Sequence, residues 1–228
     1  MAVENSAGKR PPNQGVFKLK YKLVIFDFDG TLMDTSEGIF YCGRTVMENR
    51  GHVISPDTNW RSFIGPPLMD CFQIAFGVAD HDELEILCRD YRELYVTEGC
   101  RKAKFYPGIP ELLSDLKKAG IHTGIASMKN QNLVDIMCDY FGMTPYIECT
   151  EGQGTGETVQ KADLIKNMCR KFGVDVSECV LIGDTHYDRE GAVEAGCDGI
   201  MVNYGFGYNP GDKDTVSSVD EIRKIIFG

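Results

Sequence analysis

The sequence predicts an α/β protein: a parallel sheet with helices on both faces, interrupted early by a helical insertion. Three observations predict it. In the second half of the chain, short apolar runs alternate with helical stripes, the pattern of strands joined by crossover helices. An earlier apolar run, Leu23-Val24-Ile25-Phe26, stands apart from them and ends in Asp27-Phe28-Asp29-Gly30. Between the two, residues 37–104 carry helical periodicity and little strand signal.

Composition bounds the function. A chain of 228 residues can bury a full core as one domain or two. Its 43% hydrophobic and 25% charged residues are ordinary for a soluble globular protein. The net charge of -10 argues against nonspecific binding to nucleic acid or an anionic membrane. It is compatible with a phosphorylated substrate, because a bound metal can dominate the local field. Nine cysteines are scattered without a CxxC pair, which predicts reduced core thiols and a cytoplasmic location. Residues 1–20 are polar, show no signal-peptide pattern and read as a flexible tail. No apolar run is long enough to cross a bilayer.

The elements follow in order. Leu23–Phe26 suits a strand buried on both faces. Met33 to Ser36 makes a polar exit, and Ile39, Cys42, Val46 and Met47 recur at helical spacing up to Gly51. Ser55-Pro56 has the form of a cap and a first-turn proline. Phe63-Ile64-Gly65-Pro66-Pro67-Leu68 is a rigid interruption before an apolar stretch reaching Gly77. Asp80 and Glu83 form a capping-box pattern ahead of a stripe of Leu84, Leu87, Tyr91, Leu94 and Tyr95. After Tyr106-Pro107-Gly108 the rhythm changes. A helix through Leu112 and Leu116 precedes a strand over 122–127, then a helix over 133–140 and a short strand over 146–149. Gly152, Gly154 and Gly156 lack the dinucleotide spacing and read as flexible loop. A helix over 161–172, a strand over 180–183, a helix over 188–195 and a strand over 199–203 follow. Ser218 and Glu221 cap a last helix.

The chemistry gathers at predicted strand ends, where open α/β sheets place their ligands. If extended geometry continues past Phe26, Asp27 and Asp29 point to one face. Two such carboxylates repel unless a cation or a shared proton stabilises them. A strand-closing turn would account for the same residues. Ser127 ends the 122–127 strand, where its hydroxyl and the amides of Met128 and Lys129 could hold phosphate oxygens. A simple loop start explains Ser127 equally. Lys161 opens a helix, where a cation opposes the helix dipole. On the surface it is unremarkable, whereas turned inward it can neutralise a phosphate and a carboxylate together. Val180-Leu181-Ile182-Gly183-Asp184-Thr185-His186-Tyr187-Asp188 repeats the opening logic of apolar run, glycine and acid. Asp188 alone is explained as an N-cap. Asp184 is not, since it directly ends a buried strand. His186 could be a base or a ligand, although an exposed loop histidine explains it more simply.

Taken together, Asp27-Phe28-Asp29-Gly30-Thr31-Leu32, Ser127, Lys161 and Gly183-Asp184-Thr185-His186-Tyr187-Asp188 resemble, in order, the motifs of the haloacid dehalogenase-like hydrolase superfamily. The resemblance covers about residues 21–228. Phe63 to Leu68 is similar to a segment of its phosphoglycolate phosphatase-like branch. The resemblance implies a Rossmann-like core over 21–36 and 105–228, with a mobile helical cap over 37–104. It implies a Mg²⁺-dependent phosphatase acting on a small phosphorylated metabolite, phosphoglycolate- or nucleotide-like. Asp27 would be the nucleophile forming an aspartyl-phosphate, and Asp29 the general acid and base. Mg²⁺ would be held by Asp27, the Asp29 main-chain carbonyl and Asp184, with Asp188 orienting the metal's waters or Lys161. Ser127 and Lys161 would hold the phosphoryl group.

Within that family, Asp29 speaks against a dehalogenase or a phosphonate hydrolase. A sugar phosphomutase shares the core motifs, but its characteristic histidine is absent from Glu37 to Arg50. A non-catalytic module binding phosphometabolites is the alternative outside enzymes. Arg44, Arg61 and the Gly65-Pro66-Pro67 turn are candidates for substrate selection. Oligomeric state is not legible.

Overall fold

In a computed structural model, described here for residues 19–154 and 159–228, β1 (Leu23–Phe26) lies near the middle of a six-stranded sheet. All four of its side chains are fully buried. Leu23 and Ile25 join one apolar cluster and Val24 and Phe26 the other, so the strand is packed on both faces. Burying each such side chain contributes about 1.5–3 kcal/mol.

β1 is flanked by β4 (His122–Asn130) and β6 (Cys179–Gly183). The full order is β5-β4-β1-β6-β7-β8, every pair parallel. β5 is Cys149–Gln153, β7 is Asp198–Val202 and β8 is Thr215–Val216. The chain winds outward from β1 through β4 to β5, then crosses back to β6 on the other side. That reversal leaves a crevice beyond the C-terminal ends of β4, β1 and β6. Helices α4 (Ile109–Lys118), α5 (Gln131–Tyr140) and α8 (Val219–Phe227) share the core of one face. Helices α6 (Lys161–Phe172) and α7 (His186–Ala195) cover the other.

The insertion is helical, as its periodicity predicts. It contains α1 (Ser36–Asn49), α2 (Leu68–Phe76) and α3 (His81–Thr97). Asp80 caps α3 by accepting from the Glu83 amide. The three helices meet around Phe63, Phe72, Phe76 and Tyr91, with the Phe63 and Phe72 rings 5.1 Å apart. The chain leaves the core through β2 (Met33–Asp34) and returns through β3 (Lys104–Phe105). These pair antiparallel, Met33 with Phe105 and Asp34 with Lys104, so both connections run side by side.

Several local expectations are corrected. Ser55-Pro56 opens no helix: the Ser55 hydroxyl accepts from the Asp57 amide and its carbonyl from Thr58, which closes a turn instead. The strand expected over 146–149 lies later, at Cys149–Gln153, and takes in Gly152. It is half-buried throughout, so it carries no apolar alternation to mark it. Gly156 of the expected loop and most of the expected tail lie outside the described residues. All nine cysteines are free and seven are buried, in keeping with core thiols. Among the described residues, no helix is long and apolar enough to cross a membrane.

Candidate active site

β1 ends at Phe26, but its ladder runs one amide further: Asp27 N–H donates to the Ile182 carbonyl. This fixes Asp27 at the sheet's C-terminal edge, where it is buried. Extended geometry stops there. Phe28 to Met33 form a tight turn, with the Leu32 and Met33 amides both donating to the Phe28 carbonyl. Asp29 therefore reaches the same cavity from a turn rather than by strand alternation. That cavity, of about 480 Å³, is lined by Asp27, Asp29, Ser127, Lys161, Asp184 and Asp188 together. All six residues singled out in the sequence converge.

Lys161 is the hub. Although at the first position of α6, it is turned inward and buried. Its Nζ donates to Asp27 Oδ1 at 2.7 Å and to the Ala126 carbonyl at 2.9 Å. Asp188 Oδ1 is also 2.7 Å away, a second ion pair on the same ammonium. Burial opposes the charge on Lys161, yet Asp27 and Asp188 outweigh it and hold the ammonium above its ordinary range. For Asp27, burial is the larger influence: it raises the carboxyl against the pull of Lys161, with Asp188 and Asp184 adding to the rise.

Asp184 follows β6 and is fully buried. Burial pushes its carboxyl up to about 6, opposed by the Phe206 amide. Phe206 N–H donates to Oδ2 at 2.7 Å and the Thr31 hydroxyl to Oδ1 at 3.2 Å. Asp188 does serve as a helix-start residue, though not as the N-cap. Thr185 is the N-cap of α7, and Asp188 Oδ2 accepts from the Thr185 amide and hydroxyl at 3.0 and 2.6 Å. Its other oxygen faces Lys161, so one carboxylate closes the helix and the site at once.

Ser127 is buried but sits inside β4, not at a loop or helix start. The Lys129 amide donates to its hydroxyl oxygen at 3.3 Å, so that amide is already engaged. The sequence points only to the amide of Lys129, whereas its side chain also reaches the site. Its Nζ donates to both oxygens of Asp29 at 3.0 Å. Burial opposes its charge, but Asp29 and Tyr95 outweigh it and raise the ammonium. His186 is exposed in the first turn of α7 and lines the cavity. Arg44 lies over the Trp60 ring and Arg61 donates to the Phe206 carbonyl; neither lines this cavity.

Asp27, Asp184 and Asp188 each offer a carboxylate oxygen within 4.8 Å of the others. Among the described residues, three buried acids face one buried ammonium, Lys161, which leaves excess negative charge. An all-oxygen donor set of this kind suits a hard divalent cation such as Mg²⁺.

Gly30 shapes the cluster. Its φ is +82°, and an added Cβ would strike the Asp184 carboxylate. Gly30→Ala is expected to destabilise the fold by about 1–3 kcal/mol from backbone strain alone. It should also displace Asp184 and weaken Mg²⁺ binding. Gly77→Ala is the control: its φ is +72°, but the added Cβ meets nothing. Urea unfolding with and without Mg²⁺ separates the two, since only Gly30→Ala should blunt the metal's stabilisation.

Known proteins resemble this chain in sequence and in fold. The profile described as haloacid dehalogenase-like hydrolase matches residues 24–202. The chain is 31% identical to a 5'-nucleotidase of Pseudomonas aeruginosa, over 83% of this chain and 86% of that protein. It is 26% identical to a phosphoglycolate phosphatase of Caulobacter vibrioides, over 82% and 81%. The solved structure of Protein Tyrosine Kinase A (PtkA) from Mycobacterium tuberculosis superposes with a TM-score of 0.75 at 26% identity, covering 91% of this chain and 99% of that one. Motif order, strand-edge convergence and these matches agree: the chain belongs to the haloacid dehalogenase-like hydrolase family, in its phosphoglycolate phosphatase-like branch.

Proposed function

We propose that this chain is a Mg²⁺-dependent phosphatase that hydrolyses a small phosphate monoester through an aspartyl-phosphate on Asp27. One observation carries the reading: a buried lysine neutralises Asp27 within a three-carboxylate cluster, while Asp29 faces the same cavity. Asp27, Asp184 and the Asp29 main-chain carbonyl would hold the cation, with Asp188 fixing Lys161. When bound, it would offset charge on the phosphoryl oxygens.

The residues then divide the work. Asp27 attacks phosphorus while Asp29 protonates the departing alkoxide, which splits one hard displacement into two. Asp29, now ionised, takes a proton from water as that water attacks the aspartyl-phosphate. Lys161 and Ser127 hold the phosphoryl oxygens, and such positioning of charge supplies most of the catalysis in phosphoryl transfer. Residues 37–104 act as a cap over the 21–36 and 105–228 core, hinged where β2 pairs with β3. Ile39, Ile64 and Gly65 bring that cap to the cavity mouth. The nine free cysteines suit a cytoplasmic enzyme. Phosphoglycolate and nucleoside 5'-monophosphates are the substrates to test first, because relatives bear those activities in their names.

Hydrolysis of an aryl phosphate should require Mg²⁺ and vanish in Asp27→Asn; turnover equal in the two proteins would refute the reading. Asp29→Asn should slow both chemical steps about 10²-fold or more, with Mg²⁺ affinity largely intact. Calorimetric Mg²⁺ titration checks this, and lost affinity would show the division of roles to be wrong. Incubation with a hexose 1-phosphate and its bisphosphate should release free phosphate; accumulation of 6-phosphate would indicate a mutase.

A further inference from the structure

Lys129 is engaged on every side by groups that the roles above leave unexplained. It lies near the end of β4 with a side chain only 9% exposed. Its ammonium spans both Asp29 oxygens and also donates to the Tyr95 hydroxyl at 3.3 Å. It stands 4.9 Å from the Tyr95 ring centroid and 5.8 Å from that of Phe28. Tyr95 belongs to α3, is buried and stacks on Tyr91, which packs against Phe63 and Phe72. One ammonium thus joins the turn after β1, the end of β4 and the helical insertion.

That arrangement constrains direction. A carboxylate gripped by both oxygens cannot swing about its last bond without losing a charge-assisted hydrogen bond. The lysine is a flexible four-carbon stem, and alone it would be a poor clamp. Here its head is fixed by the Tyr95 hydroxyl and by two aromatic rings, each a further attraction. Burying an ammonium is costly unless its partners are well placed, so the geometry is maintained by the whole cluster.

We propose that Lys129 is a positioning residue for Asp29: it aims the Asp29 carboxylate at the leaving-group oxygen and, through Tyr95, ties that aim to the seating of α3. This rests on the reading of Asp29 as the proton-transfer group. The competing role for Lys129 is direct binding of the phosphoryl oxygens, and the two make different predictions. A positioning defect harms substrates whose leaving group must be protonated. A binding defect harms all substrates alike.

The test is single-turnover release of the leaving group from an alkyl phosphate and from 2,4-dinitrophenyl phosphate, whose phenolate departs without a proton. Lys129→Met should slow release from the alkyl ester ~30-fold or more at saturating substrate, and from the dinitrophenyl ester by less than ~3-fold. Lys129→Arg should recover most of the alkyl rate. Tyr95→Phe, which removes only the hydroxyl, should slow the alkyl ester alone by a few-fold, and it decides the matter if Lys129→Met fails to fold. Equal losses on both esters, or a loss of affinity alone, would overturn the proposal. Asp29→Asn is the reference. If it shows no difference between the esters, the proton-transfer reading itself fails. If it does and neither Lys129→Met nor Tyr95→Phe follows it, only the positioning role of Lys129 fails.

Discussion

Asp27→Asn is expected to lower kcat by about 10⁴-fold or more, as loss of a covalent nucleophile does in other enzymes. The fold should survive. The substitution is isosteric, and the new amide oxygen can still accept from Lys161. In metal-free protein the variant should gain stability relative to the native chain as pH rises. Burial raises the Asp27 carboxyl, with only partial relief from Lys161. A group whose folded pKa lies above its unfolded value contributes stability at low pH and loses it as pH rises through the folded value. Asn stays neutral, so it avoids that loss. Urea titrations in chelator, from mildly acidic to mildly alkaline pH, should show the gap widening in favour of Asn. A gap that narrows would mean that Lys161, not burial, sets the charge of Asp27. Mg²⁺ should stabilise the native chain more than the variant, because it removes the repulsion that Asn already lacks.

Lys161→Met is expected to be the most destabilising single change in the site. Among the described residues it removes the ammonium that pairs with both Asp27 and Asp188, each of them buried. Removing one partner of a buried ion pair typically costs about 3–5 kcal/mol. For a chain of this size each kcal/mol lowers Tm by about 2–4 °C, so a fall of about 10 °C is expected. Mg²⁺ should recover part of that loss by supplying the missing positive charge. Activity should not recover with it, since loss of one preorganised donor to a developing charge costs about 10²–10³-fold. Thermal unfolding and steady-state rates, each with and without Mg²⁺, separate the two effects. A metal-free Tm equal to that of the native chain would show that the lysine does not hold the carboxylate cluster together.

Much of the site was legible because its residues break local rules. Asp27 and Asp184 end apolar runs that have no structural use for a charge, and both prove buried at the sheet edge. Lys161 stands against its own helix dipole, and it turns inward. The sheet was legible where strands are apolar on both faces, as in β1 and β6. It was not legible in β5, whose five residues are all half-buried, or in the two-residue strands β2, β3 and β8, too short to show a period. β2 and β3 are the costliest omission, because their pairing brings the two ends of the insertion together. Ser55-Pro56 misled because its hydroxyl satisfies a turn as readily as a helix start. The Lys129 side chain was missed because its partners, Asp29 and Tyr95, lie 100 and 34 residues away along the chain. Only the fold brings them together.

The proposed reaction is two successive displacements at phosphorus, the first onto Asp27. The most direct measurement is the stereochemical course at phosphorus with an isotopically chiral phosphate monoester. Each in-line displacement inverts the centre, so two in succession give net retention, which is the result expected here. Net inversion would mean that water attacks the substrate directly. Asp27 would then serve only as a ligand or a base, which contradicts an aspartyl-phosphate intermediate.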